Sequence, residues 1–376
     1  MGGAVDDGGG GELDVFDAGR CGGGGYELGV AVGRRFGEAI RSRMSGDAVL
    51  RRRLLPFAST APGRALVDAL RDANRARYPR YWDEMVGTAD GSGVPLLHEL
   101  LPFITEEEDQ HHHREDEAAA VAADADDDCS DVLIVGESAA IAAHNEDANV
   151  ALLGHTYVVK ATSPDGSSSF TAYTYAGELP TCAFGFNSNG VAFTLDSVPP
   201  ASGEVVAGAI ARNFVSRDLL EATSLEDAMN RVSSPAMSVG HSYNLMDVRR
   251  RRIVNVETAS GNRFSVREAA AAPFFHANMY RHLQVNQEKA LSLLGDTADD
   301  KYPIYMTGPT LYTLCTVLVD LDEATMTIYK GNPKNRDAVR DSRKAHDWGN
   351  NGSSSKKVIN WEICATKTAY AKSKTM

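Results

Sequence analysis

The sequence of 376 residues lacks a long hydrophobic run. No stretch approaches the roughly 18 consecutive apolar residues that a membrane-spanning helix needs, so a membrane span is not expected. The amino terminus, Met1–Gly8, has neither a basic start nor an apolar core, and it is therefore not expected to be a secretory signal. Basic residues are also scarce, since 38 Lys and Arg stand against 51 Asp and Glu, and no basic stripe suits nucleic acid.

Cysteine is sparse as well. The five cysteines lie far apart and form no CxxC pair, so we expect neither a disulfide framework nor a structural zinc site, and a reducing compartment fits better. Cytoplasm is the default location, because the ending Ser373–Met376 differs from the usual peroxisomal signal. Hydrophobic residues make up an ordinary 43% of the chain, which is enough for a sizeable core.

The negative charge is concentrated in one segment. Between Glu106 and Asp128 there are 11 acidic residues and one basic residue, Arg114, so this segment carries most of the net charge of -13. Because it has almost nothing to bury, it is predicted to be a solvated linker. Its triple histidine, His111–His113, is interpreted as part of that linker, since a catalytic metal site needs ligands fixed in a rigid cavity.

This linker divides the chain into three predicted parts. Residues 1–105 form a mostly helical segment, of which the first twenty-five residues are glycine-rich and predicted to be loose. Residues 106–128 form the acidic linker, and residues 129–376 form the third part. Strands, helices and strands follow one another there in blocks, which predicts an α+β fold rather than a βαβ alternation. Asn187–Gly190 is a strong hairpin signal within this region.

The residue most suggestive of chemistry is Cys129, which stands where the polar linker stops and a buried-looking strand begins. If the turn of the following hairpin centres on Ser138, Asp147 lies opposite Cys129 with Cα atoms roughly 5 Å apart. On spacing alone, a small buried structural cysteine is the commoner alternative. A chain cut before Cys129 gains its own base, because an α-amino group with a pKa of about 7.7 can accept a thiol proton near neutrality.

A series of short motifs follows in order along most of the chain. They are Gly25–Gly29 with Gly33, Tyr81–Gly91, Cys129-Ser130, His144–Asp147, Gly185–Gly190, Ser242–Asn244, Glu257, His276–Asn278 and Gly331–Pro333. Each motif alone is weakly specific, whereas the ordered series is much more so. The series resembles the acyl-coenzyme A:6-aminopenicillanic acid acyltransferase-like cysteine hydrolases of the N-terminal-nucleophile superfamily.

The resemblance implies a four-layer αββα sandwich, made as one precursor and cut between Asp128 and Cys129 into two chains that stay together. It implies Cys129 as the nucleophile, Asp147 as the partner of the freed amine and Asn244 as an oxyanion donor. Glu257, Asp196 and His276 then have supporting or pocket-lining positions. Asp128 departs from the glycine that relatives commonly place before the nucleophile, and its carboxylate either hinders or assists the strained cleavage step.

The function implied is an enzyme, an amide hydrolase or acyltransferase that acts on a small N-acyl or aminoacyl amide through a thioester. No cofactor and no metal are expected, while acyl-coenzyme A remains open as a co-substrate. The expected partners are the small substrate and the two cleavage fragments, with no nucleic acid. One alternative is an uncleaved, non-catalytic scaffold whose acidic loop binds basic partners. Another is a papain-like pair of Cys129 and His276 that acts without cleavage.

Overall fold

The computed structural model describes residues 13–20, 24–100, 129–180, 183–198, 208–234, 236–237, 240–259, 262–269, 274–276, 291, 294–297, 303–308, 311–336 and 356–360. The acidic linker with its triple histidine, and Asp128, lie outside the described residues. The predicted boundaries at 105/106 and 128/129 fall on or beside these residues, and they stay predictions.

The amino-terminal part is mostly helical, as its apolar periodicity predicts. The helices are α1 (Gly25–Gly46), α2 (Leu55–Ser59), α3 (Ala61–Arg77), α4 (Pro79–Ser92) and α5 (Leu96–Leu100), with a π-helical segment at Leu50–Leu54. Tyr78 separates α3 from α4, because Pro79 lacks an N–H and disfavours a helical conformation in the residue before it. Two further helices, α6 (Arg212–Leu219) and α7 (Leu225–Ser233), lie within the second half of the chain.

The described strands form two sheets. They are β1 (Val15–Arg20), β2 (Ser130–Val135), β3 (Ala140–Asn149), β4 (Thr156–Thr162), β5 (Ser169–Tyr175), β6 (Phe184–Asn187), β7 (Val191–Val198), β8 (Gly240–Asp247), β9 (Arg252–Ala259), β10 (Arg263–Glu268), β11 (Phe274–His276), β12 (Leu311–Asp320), β13 (Thr325–Tyr329) and β14 (Lys356–Asn360). Eight strands have the order β1-β4-β5-β6-β7-β8-β9-β10, and six have the order β11-β2-β3-β12-β13-β14.

Strand β1 corrects one prediction. The first twenty-five residues were expected to be loose, and this is wrong for Val15–Arg20, which pairs in parallel with β4. Val15 packs against the core between the sheets, while Phe16 packs against the core on the helical side. The strand therefore gains apolar contacts on both faces. The glycine-rich sequence on either side of it does not indicate these contacts.

Three clusters of buried side chains define the layers. The first lies between the helices and the eight-stranded sheet, where Phe36 of α1 stacks on Tyr157 of β4 with ring centroids 3.6 Å apart. The second lies between the two sheets and includes Leu133 and Phe184. The third lies on the other face of the six-stranded sheet and contains Leu294. The predicted α+β class is confirmed by the helices, the two sheets and the apolar clusters between them.

Helices α1 and α4 pack with their backbones in close contact. A Cβ atom at Gly29 would lie 1.9 Å from the carbonyl oxygen of Glu84, and one at Gly33 would lie 2.3 Å from that of Thr88. A Cβ atom at Gly87 would meet the carbonyl oxygen of Tyr26 at 2.1 Å. Only glycine fits these positions, which gives a physical reason for the first two motifs of the series.

The hairpin of β6 and β7 is present as the sequence predicts. Gly190 has a φ of 89°, in the left-handed region that glycine enters easily. The side-chain oxygen of Asn187 accepts hydrogen bonds from the N–H groups of Asn189 and Val191, at 3.0 and 3.2 Å. This turn fixes the start of β7, the strand that carries Thr194 and Asp196 into the space between the sheets.

Among the residues that the structure describes, no helix is both long enough and apolar enough to cross a lipid bilayer.

Candidate active site

Cys129 is half-buried and directly precedes β2, the first strand of the β2–β3 hairpin. The prediction that Asp147 lies directly opposite Cys129 is wrong by one residue. The turn is tighter than one centred on Ser138, since the N–H of Gly136 donates to the carbonyl of Ala139, and the ladder then pairs Ser130 with Asn145. Continued by one residue, this register brings Glu146 opposite Cys129.

Contacts of the thiol agree with this register. The Sγ atom of Cys129 lies 3.6 Å from Oε2 of Glu146 and 3.9 Å from the backbone carbonyl oxygen of Asp147. Glu146 is 4% exposed. Sequence reasoning misses Glu146, because a turn centred on Ser138 and the family motif both direct attention to Asp147. The available signal was strand alternation, which puts Glu146 and His144 on the same face of β3.

A buried polar cluster, formed by Asp131, His144, Glu146, Thr194 and Asp196, extends from the thiol into the space between the sheets. The Nε2 atom of His144 lies 2.9 Å from Oε2 of Glu146, and its Nδ1 atom lies 3.3 Å from Oδ1 of Asp131. Oδ1 of Asp196 is 3.7 Å from the same Nδ1 atom. Thr194 donates from its hydroxyl to Oδ1 of Asp131 at 3.0 Å. The two sheets are thus joined by polar as well as apolar contacts.

The protonation states in this cluster depend on one another. Burial alone would lower the pKa of His144, but the charge of Asp131 and the hydrogen bonds to Asp131 and Glu146 raise it well above its ordinary value. Burial opposes ionisation of Asp131 too, yet the charge of His144 lowers the pKa of that carboxyl to about 2. Burial and the charge of Asp131 raise the pKa of Asp196 well above its usual range. These shifts favour the protonated forms of His144 and Asp196 and the ionised form of Asp131.

Asn244 joins the polar cluster from β8. Its Nδ2 atom donates to the hydroxyl of Thr194 at 3.0 Å, and its Oδ1 atom accepts from Nδ2 of Asn255 at 2.8 Å. Asn244 is fully buried and pairs with Thr194 across the β7–β8 ladder. A fixed amide N–H is what an oxyanion site requires, and the assignment of Asn244 to that role stays a prediction.

Asp147 is fully buried on β3, where it pairs with Thr313 of β12. Alternation along the strand directs the side chains of Asp147 and Glu146 to opposite faces. Asp147 is therefore close to Cys129 through its backbone carbonyl, and its role as the partner of a freed amine stays a prediction.

The other predicted residues lie at different distances from the polar cluster. Glu257 is exposed on β9 and accepts a hydrogen bond from the hydroxyl of Ser265 at 3.3 Å. The hydrogen bond that orients Asn244 comes from Asn255 and not from Glu257. His276 ends β11 and pairs with Asp131 of β2 in the backbone ladder. Asp196 belongs to the polar cluster itself.

Atoms of the types that bind metals approach one another closely at two points. Cys129, His144 and Glu146 form one group, and Asp131, His144 and Asp196 form the other, each with its atoms within 4.8 Å of one another. The hydrogen bonds and ion pairs described above account for both groups. The expectation that the site needs no metal stays a prediction.

Comparisons with known proteins place the chain in the class of the amide hydrolases and acyltransferases. The family model described as acyl-coenzyme A:6-aminopenicillanic acid acyl-transferase matches residues 134–300, and the family that the motifs predict is thereby confirmed. The beta-alanyl-dopamine/carcinine hydrolase of Drosophila melanogaster is 22% identical over 365 residues, covering 82% of this chain and 91% of that protein.

Among solved structures, the N-acylethanolamine-hydrolyzing acid amidase ortholog of Caenorhabditis elegans matches with a TM-score of 0.35 and 13% identity. The match covers 56% of this chain and 94% of that chain.

Proposed function

We propose that this protein is a cysteine amidohydrolase or acyltransferase that cuts its own chain before Cys129 and then acts through a thioester on that residue. The observation that carries the proposal is the half-buried thiol of Cys129, 3.6 Å from the carboxylate of Glu146 at the edge of a buried polar cluster. The family match over residues 134–300 supports amide or acyl-transfer chemistry.

A cut before Cys129 turns its backbone nitrogen into an α-amino group beside the sulfur. Such an amine has an ordinary pKa of about 7.7, so it can accept the thiol proton near neutral pH and later protonate the leaving amine. Asp147 is assigned to hold the ammonium form of that amine. Asn244 is assigned to donate to the oxyanion of the tetrahedral intermediate, a role worth about 2.7–4 kcal/mol of the activation barrier.

The substrate class we propose is a small N-acyl or aminoacyl amide. The fly relative is named as a hydrolase of beta-alanyl-dopamine and carcinine, which favours an aminoacyl amide within that class. Water is the acceptor in hydrolysis, and an amine is the acceptor in transfer. In the transfer reaction, acyl-coenzyme A is the candidate acyl donor, and no resident cofactor is required. The two fragments remain associated after the cut, and the cytoplasm is the proposed location.

Fragment analysis of the purified protein tests this proposal. A denaturing gel should show fragments of 128 and 248 residues, the larger beginning with Cys129-Ser-Asp-Val132 on amino-terminal sequencing. The Cys129→Ala variant should remain a single chain without amide hydrolase activity. Cys315→Ala is the matched control, because Cys315 is fully buried between the sheets, and this variant should still be cut.

The same samples separate the alternatives. A persistent single band, with no thiol-dependent cleavage of amides, would support an uncleaved scaffold instead. That alternative draws on the concentration of acidic residues between Glu106 and Asp128, and it predicts binding of basic polypeptides. A papain-like enzyme predicts that Cys129→Ala and His276→Ala each abolish activity in a chain that is never cut.

A further inference from the structure

Glu146 is a buried carboxylate that the thiol–amine chemistry above leaves unused. In the uncut chain the nitrogen of Cys129 is part of a peptide bond, so no α-amino group exists to accept the thiol proton. Self-cleavage nevertheless begins with attack by that sulfur. The first step therefore needs a different proton acceptor, already present in the precursor.

We propose that Glu146 accepts the thiol proton of Cys129 in the step that starts self-cleavage, with His144 and Tyr175 as positioning residues. This inference rests on the proposed function. Among the described residues, Oε2 of Glu146 lies 3.6 Å from the sulfur and the carbonyl oxygen of Asp147 lies 3.9 Å from it. A carboxylate can take up and return a proton under these conditions, whereas a backbone carbonyl cannot.

Contacts from two strands fix the carboxylate of Glu146. Nε2 of His144 lies 2.9 Å from Oε2, and the hydroxyl of Tyr175 donates to Oε1. Oε2 therefore lies between the imidazole and the thiol. In the described part of the chain, the titratable groups around Glu146 are His144 on β3, Tyr175 on β5, Asp196 on β7, Cys315 on β12 and Cys129 itself, and Asp131 on β2 lies on the other side of His144.

The step balances without an added reagent. The S–H bond of Cys129 breaks and its proton passes to Glu146, while the sulfur forms a bond to the carbonyl carbon of residue 128. The C–N bond then breaks, and the nitrogen of Cys129 takes the proton back from Glu146 to become an amine. Water hydrolyses the resulting thioester, which leaves a carboxyl group on residue 128 and the free thiol on Cys129.

The experiment follows cleavage of freshly synthesised full-length chain by gel, from pH 6 to pH 8, for wild type and three variants. Glu146→Gln should cleave at least about 100-fold more slowly, as is typical when a general base is lost. Its rate should rise about tenfold per pH unit, because the thiol, with an ordinary pKa of about 8.5, must then lose its proton to solvent. The wild-type rate should depend less steeply on pH.

Two variants serve as comparison and control. Glu146→Asp keeps a carboxylate on a shorter side chain, so it should cleave at an intermediate rate with the wild-type pH dependence. Glu178→Gln neutralises a different buried carboxylate, which pairs with Arg43 at 2.6 Å, and it should cleave like wild type. Circular dichroism establishes that each variant is folded.

Each outcome bears on a different part of the reasoning. Cleavage of Glu146→Gln at the wild-type rate and pH dependence overturns the role of Glu146 and leaves the proposed function standing. A wild-type chain that is never cut overturns both. If Glu146→Gln does not fold, Glu146→Asp decides, since a tenfold rise per pH unit in that variant overturns the inference.

Discussion

Replacing Glu84 by Gln is predicted to destabilise the protein by about 3 kcal/mol. Glu84 of α4 and Arg217 of α6 form a buried ion pair, with side chains 1% and 3% exposed. The Nε atom of Arg217 lies 3.1 Å from both carboxylate oxygens, and its Nη2 atom lies 3.0 Å from Oε2. The guanidinium also lies over the rings of Tyr81 and Phe170, at 4.8 and 4.5 Å from their centroids.

The magnitude follows from the charge of Arg217, which stays buried after the substitution removes the charge of Glu84. Removing one partner of a buried ion pair costs about 3–5 kcal/mol, because the other charge stays buried without compensation. Arg217 keeps one further carboxylate, Oε1 of the partly exposed Glu221 at 3.2 Å, so the lower end of that range applies. Burial raises the pKa of Glu84 in spite of the attraction of Arg217. The desolvation of the carboxylate thus offsets part of the attraction, which in turn raises the pKa of Arg217.

The opposing effects of desolvation and attraction also lead to an expectation for a variant in which both residues are replaced. Replacing both charges with apolar groups of similar size, as Glu84→Leu with Arg217→Met, removes the desolvation cost together with the attraction. The double variant should therefore be more stable than Glu84→Gln alone. Urea unfolding followed by the fluorescence of the buried Trp82, whose ring stacks near Phe214 of α6, measures each free energy of unfolding.

An exposed pair provides the control. Asp68 lies 2.6 Å from Arg71 on α3, with side chains 57% and 41% exposed, and Asp68→Asn should cost less than about 1 kcal/mol. Equal effects of Glu84→Gln and Asp68→Asn would refute the argument from burial. A double variant less stable than Glu84→Gln would refute the argument from desolvation.

Two further predictions concern packing and pH. Gly29→Ala should destabilise the protein by roughly 1–3 kcal/mol in urea unfolding, because its Cβ would lie 1.9 Å from a carbonyl oxygen of α4. Gly46→Ala, which meets nothing within 4 Å at the end of α1, should not, and similar losses in both would contradict the close packing. The raised pKa of His144 stabilises the fold fully below its unfolded value of about 6.5, and this contribution is lost as pH rises through the higher folded value. The free energy of unfolding of wild type relative to His144→Gln should therefore fall with rising pH above about 6.5, and a constant difference would show that His144 is uncharged.

Features set by neighbouring residues were predictable from the sequence. Pro79 separates two helices because its ring acts on the adjoining backbone, whatever the rest of the chain does. Ser224 caps α7 by accepting from the N–H of Asp227 at 3.1 Å, as its spacing from Asp227 predicts. Gly190 supplies the left-handed conformation that the β6–β7 turn needs. In each case the decisive contacts lie within a few residues.

Features set by distant residues were not predictable. Strand β1 exists because residues 15–20 pair with β4, some 140 positions further along the chain, and nothing local identifies that partner. The register of the β2–β3 hairpin depends on the geometry of its turn, and a change of one residue exchanges the faces of all side chains. This is why Glu146, and not Asp147, meets the thiol of Cys129. Asn255 supports Asn244 for a similar reason, since only the β8–β9 ladder brings them together.

The position of β1 at the end of the eight-stranded sheet has a consequence for a chain cut at Cys129. The shorter fragment would contribute the edge strand β1 to a sheet whose other described strands all belong to the longer fragment. Phe36 of the shorter product would keep its ring against Tyr157 of the longer one. Separating the two fragments would break the hydrogen bonds between β1 and β4. It would also expose to water the apolar core that the two fragments share. The cleaved protein would therefore unfold as one cooperative unit, and dilution alone would not separate its two fragments.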